Sequence, residues 1–92
     1  MKLTVIVNQE HIIKGEKATC DKCPIALALN EQHPREIMWC VDPDSASNGS
    51  FENEERYLLP AKARDFMTRF DDGEEVKPFS FKLINIEPQK EY

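Results

Sequence analysis

Cys20 and Cys23 stand two residues apart immediately before Pro24, and a third cysteine, Cys40, follows later in the chain. A CxxC pair that opens a helix can serve as a redox site. The free N–H groups and the positive end of the helix dipole stabilise a thiolate there. Cys23, at the N-cap position before Pro24, occupies such a place. Thioredoxin-like enzymes present the pair directly after a buried strand, whereas a polar connection, Glu16 to Thr19, precedes it here. The same thiols suit zinc in composition, since Cys20, Cys23 and Cys40 with His11 or His33 would supply four ligands. One CxxC without a second close pair is a weak zinc signature, and a small thiol inside an apolar strand packs well without a metal. The favoured reading is structural: Cys23 caps the helix, Cys40 packs in the core and Cys20 orders the loop. Three cysteines are an odd number, and the first ten residues carry no export signal, so reduced thiols are the expectation.

The other reactive types form no catalytic constellation. His11 falls on a short polar helix and His33 at a helix terminus before Pro34. No Ser or Asp pattern sets a nucleophile beside a base. Three glycines are too few for a phosphate-cradling loop plus the stops the helices need. The expectation is therefore a protein that is not an enzyme. Acidic residues gather at Glu52, Glu54 and Glu55 and at Asp71, Asp72, Glu74 and Glu75. As a solvated face they need no explanation, and as a binding surface they would meet a basic patch on a partner. Trp39, Arg56 and Tyr57 could anchor such an interface, with burial of Trp39 in the core as the competing account.

Charge narrows the partners. Lys and Arg number 12 against 17 Asp and Glu, a formal net charge of -5, which argues against direct nucleic-acid binding because that affinity comes from cations displacing counterions. No apolar run approaches the roughly 18 residues of a membrane span. A soluble, cytoplasmic protein with no membrane partner is expected.

Elements must position these groups. Leu3, Val5 and Val7 alternate with Lys2, Thr4 and Ile6, which predicts a strand with one buried face. Asn8 caps a short helix over Gln9 to Lys14, with Ile12 and Ile13 turned inward and Gly15 stopping it in the left-handed conformation. A second helix starts at Pro24 and ends at His33-Pro34. Arg35 to Asp42 is expected as a strand that is interior or has one face covered by a partner, with Ile37, Trp39 and Val41 on one side and Met38 and Cys40 on the other. A turn-rich loop over Asp42 to Ser50 leads to a polar strand, Ser50 to Leu58, that lies at an edge or exposes most of its length. The clearest helix opens at Pro60, turns Ala63, Phe66, Met67 and Phe70 to one face and stops at Gly73. A last strand covers Phe79 to Ile86, and 87–92 form a frayed tail. The order β-α-α-β-β-α-β predicts a small single α+β domain. Its mostly antiparallel sheet has about four strands, with two to three helices on one face. The 92 residues exclude a second domain.

The run Gln9-Glu10-His11-Ile12, Gly15, Cys20-x-x-Cys23-Pro24-Ile25-Ala26-Leu27-Ala28, then Leu59-Pro60, Phe70-Asp71-x-Gly73 and Pro78-Phe79-Ser80-Phe81 resembles a family of small uncharacterised bacteriophage and prophage proteins. The likeness covers most of the chain in blocks and leaves out Arg35 to Arg56. It transfers no activity and no catalytic residue. It implies a small acidic accessory protein in a bacterial host cytoplasm that binds a host enzyme, a defence complex or a signalling nucleotide stoichiometrically. The nucleotide alternative implies a homo-oligomer in which Arg35, Arg56, Arg64 or Lys62 of adjoining chains surround the phosphates.

Overall fold

A computed structural model describes residues 2–35, 37–49 and 55–85. The chain runs β1 (Lys2–Val7), α1 (Gln9–Lys14), α2 (Pro24–Gln32), β2 (Cys40–Val41), β3 (Ser45–Asn48), β4 (Glu55–Leu58), α3 (Ala61–Asp71) and β5 (Phe79–Asn85). The strands form one antiparallel sheet in the order β1-β5-β4-β3-β2. Its first and last strands pair at the centre of the register, Val5 opposite Phe81. The α+β class stands as read from the sequence, with five strands rather than about four.

Strand alternation decides where the core lies. Leu3, Val5 and Val7 on β1, Phe81 and Leu83 on β5, Tyr57 on β4, Ala46 on β3 and Val41 on β2 are all buried, and the helices pack over that face. Helix α2 contributes Ile25, Ala28 and Leu29, and α3 contributes Ala63, Phe66, Met67 and Phe70. Phe66 of α3 stacks on Phe79 at 4.6 Å between ring centroids, and Phe79 on Phe81 at 5.2 Å, which seats α3 over β5. Gly73, at φ 81°, ends α3 as expected. Its N–H donates to the Phe70 carbonyl and the Glu74 N–H to the Arg69 carbonyl, the double bond pattern of a glycine-stopped helix.

Several expectations are corrected. Gly15 is not left-handed; it lies at φ −67° and ψ 147°, and it is glycine because α1 meets the buried Pro24 ring there. In α1 the inward residue is His11, while Ile12 is half-buried and Ile13 is 72% exposed. Of the strand expected over Arg35 to Asp42 only Cys40 and Val41 join the sheet. The Trp39 N–H donates to Asn30 Oδ1 of α2 at 3.0 Å, which draws the chain out of any ladder and leaves Ile37 and Met38 in solvent. The loop expected over Asp42 to Ser50 contains β3, joined to β2 by a turn in which the Asp42 N–H donates to the Ser45 carbonyl. Interior and edge are exchanged as well: β2 is the sheet's outermost strand and the polar β4 is internal. A central strand tolerates Arg56 because only one face of this sheet is covered. The part of that strand expected at 50–54, and the tail at 87–92, lie outside the described residues.

Candidate functional site

The three cysteines take three different environments. Cys23 is wholly buried at the N-cap of α2, where its Sγ accepts the Ala26 N–H at 3.4 Å. Burial pushes its thiol up to about 11, outweighing the hydrogen bonds of the helix terminus. The dipole therefore does not make Cys23 an activated thiolate. Cys40 does not pack in the core as expected. It stands opposite Ser47, on the side of the sheet away from Val41, and is half-exposed. Desolvation first, then the neighbouring exposed Cys20 and the carboxylates of Asp42 and Asp21, push its thiol up to about 12. The fold pairs Cys20 with Cys40 and turns Cys23 away.

The histidines are also separated from the thiols. His11 Nδ1 accepts the Asn8 N–H at 3.0 Å, its own N–H donates to Asn8 Oδ1 at 3.1 Å, and Nε2 lies 3.1 Å from Glu31 Oε1. These bonds close a capping box and place the ring proton on Nε2. His33 Nε2 donates to the Thr4 carbonyl at 2.7 Å. Among the described residues no three His, Cys, Asp or Glu are gathered as a metal-holding group, so Cys20, Cys23, Cys40, His11 and His33 are not brought together.

Trp39 and Tyr57, considered above as interface anchors, are both buried, at 0% and 1% exposure. Their rings meet at 5.7 Å, the Trp39 indole N–H donates to the His33 carbonyl, and the Arg35 guanidinium lies 5.5 Å from the Trp39 ring centre. Arg35 also forks onto Glu55 at 2.8 and 3.4 Å, and the Tyr57 hydroxyl donates to Glu55 at 2.9 Å. The hydrogen bonds from Arg35 hold the Glu55 carboxyl below its ordinary range. This knot ties the loop after α2 to β4. Arg56 remains on the exposed side of that strand.

The acidic clusters divide. Glu52 and Glu54 lie outside the described residues, and Glu55 belongs to the Arg35 pair. Asp71, Asp72, Glu74 and Glu75 are exposed around the end of α3. Asp71 Oδ1 accepts the Ala18 N–H at 3.0 Å, and Lys17 reaches the glycine turn that ends the helix. The shallow groove beside it is lined by Lys62, Arg69 and Lys77 together with Asp65 and Glu75. That surface is mixed in sign rather than an acidic face.

The sheet face away from the helices carries exposed apolar residues that the sequence did not single out as a site. Ile6, Leu58 and Ile84 are 54%, 56% and 58% exposed on the sheet face opposite the helices, and Leu58 and Ile84 are direct cross-strand partners. Ile6 stands apart from that pair: it faces Ser80, and Thr4 and Lys82 lie between it and Ile84. The signal was present in the strand alternation, which puts Ile6 with Thr4 and Ile84 with Lys82. Both edges of the same sheet are blocked. Gln32 exchanges two hydrogen bonds with the backbone of Ile6 on β1, at 2.9 and 2.7 Å, and His33 takes the Thr4 carbonyl. At the other edge the Cys20 carbonyl takes the Val41 N–H at 2.6 Å.

Comparison with protein families, with curated proteins and with solved structures gives no match. Among the described residues no helix is long and apolar enough to cross a membrane.

Proposed function

We propose that this protein is a non-enzymatic binding module that engages another protein stoichiometrically through the open face of its sheet. The supporting observation is the exposed cross-strand pair of Leu58 and Ile84 on the sheet face that, among the described residues, lies away from the helices. Isolated exposed apolar residues are ordinary, but a directly paired Leu and Ile on a sheet face over which no described helix packs can form the centre of an interface with a polar rim. Blocked edges add to this, because a partner that adds a strand needs free N–H and C=O groups on an edge. Lys82 beside the pair suits a partner with an apolar patch flanked by a carboxylate. The phage-type likeness of the sequence supplies the setting, a host enzyme or defence complex in a bacterial cytoplasm.

The test is affinity capture from bacterial lysate with the parent chain and with Leu58→Glu and Ile84→Glu, each checked for native circular dichroism. A stoichiometric species held by the parent and lost from both folded variants is expected. Absence of any stoichiometric partner, or equal capture by the variants, overturns the proposal.

A further inference from the structure

The thiol pair is separate from the open-face reading and carries an inference of its own. Cys20 and Cys40 are far apart in sequence, yet the backbone bond from the Val41 N–H to the Cys20 carbonyl lays one beside the other. Cys20 is exposed and Cys40 partly so, and the Cys20 side chain is among the groups that act on the Cys40 thiol. Backbones held side by side in this way let side-chain rotation bring two sulfurs to the S–S bond length of roughly 2.05 Å. The CxxC neighbour is worse placed despite its proximity in sequence. Cys23 Sγ is buried and engaged with the Ala26 N–H, so bridging it to Cys20 would strip the cap from α2 and drag a core atom outward. We propose that Cys20 and Cys40, not the CxxC pair, form a reversible disulfide that clamps the loop before α2 onto the outermost strand β2, with a hydroperoxide as oxidant.

The Cys20 thiolate attacks one peroxide oxygen, the O–O bond breaks, and Cys20 becomes a sulfenic acid as hydroxide leaves and takes the thiol's proton to form water. The Cys40 sulfur then attacks Cys20 Sγ, the S–O bond breaks, and the departing hydroxyl leaves as water with the Cys40 proton. Two thiols lose two electrons, and the peroxide gains them as two waters. A small dithiol reverses the bond by exchange and is itself oxidised to a cyclic disulfide. Cys20 is the attacking sulfur because it is the more exposed of the two, while desolvation, with Asp42 and Asp21, keeps Cys40 protonated until it resolves the intermediate.

The experiment treats the reduced full chain with one equivalent of hydrogen peroxide and reads intact mass, then a non-reducing peptide map after alkylation. Loss of two hydrogens, a Cys20–Cys40 linked peptide, an alkylated Cys23 and full reversal by dithiothreitol are expected. Cys23→Ser is expected to bridge like the parent, while Cys20→Ser and Cys40→Ser form no internal bridge. A Cys20–Cys23 linked peptide overturns the proposal, as does oxidation of Cys20 to a sulfinic acid or to an intermolecular disulfide in place of the bridge. The parent's own peptide map decides the matter even where a serine variant fails to fold.

Discussion

Gly15 gives the sharpest test of how α1 and α2 are joined. A Cβ added there would sit 2.6 Å from both Cδ and Cγ of Pro24 and 2.9 Å from the His11 carbonyl oxygen. The Pro24 ring is wholly buried and rigid, and the His11 carbonyl is backbone already committed to the Gly15 N–H, so neither neighbour yields by a rotamer change. Overpacking of this kind costs about 1–3 kcal/mol. An opposing effect exists, because φ −67° suits any L-residue and a methyl there restricts the unfolded chain, a gain of about 0.4–1 kcal/mol. The steric cost is the larger, and Gly15→Ala is expected to destabilise by about 1–2 kcal/mol. Urea unfolding followed by circular dichroism measures it, with an unchanged slope showing that stability alone has moved. A cycle with Pro24→Ala isolates the contact, since removal of Cγ and Cδ should return at least about 0.5 kcal/mol of the loss. Gly15→Asn, which a left-handed glycine would tolerate better than Ala, is expected to be no better. A Gly15→Ala variant as stable as the parent, or a cycle without coupling, refutes the close-approach account.

Three other perturbations address the loop, the ion pair and the sheet edge. Ala18 holds φ 56°, a conformation that strains a side-chain-bearing residue, so Ala18→Gly is expected to stabilise by about 0.5–1 kcal/mol in the same urea assay. Arg35 lowers the Glu55 carboxyl from its ordinary 4.5, so the pair stabilises the fold above that value and its contribution is lost as pH falls through the lowered one. With the two side chains 31% and 34% exposed, screening limits the pair to about 0.5 kcal/mol, and Glu55→Gln should flatten the acid limb of the stability profile by that amount. Gln32→Ala removes both bonds to Ile6 and bares the β1 edge; a cost of about 1 kcal/mol and more self-association than the parent in sedimentation are expected. A variant as monodisperse as the parent would count against edge protection by Gln32.

The parts of the fold legible in the sequence are those whose signals are local. Asn8, Pro24 and Gly73 mark helix ends through their own backbone chemistry, and β1 and β5 declare themselves by alternation. What was misread depended on distant partners. His11 faces inward because Asn8 and Glu31 satisfy its ring, a solution that an apolar count over Ile12 and Ile13 does not see. Ser45-Ala46-Ser47-Asn48 has weak strand propensity, and it becomes β3 because β2 and β4 bond to both its sides. Trp39 resembles a strand residue until its N–H goes to Asn30. The cysteine motif misleads for the same reason: spacing along the chain pairs Cys20 with Cys23, and spacing across the fold pairs it with Cys40.

The two ends of the sheet are protected by different means, and the difference bears on the binding face between them. At β1 the cover is a pair of side chains projecting from the end of α2, so it is fixed by helix packing against the core. At β2 it is a backbone carbonyl in a loop, held by one bond from Val41 and by the Ala18 to Asp71 contact with α3. The second cover rests on few bonds and opens more readily, because exposed loop bonds break locally without global unfolding. A Cys20–Cys40 bond would make that cover covalent without touching the Leu58–Ile84 pair. Oxidation should therefore stiffen the short outer strand and leave binding through the open face intact. A partner lost on oxidation would have to use the β2 edge rather than the face.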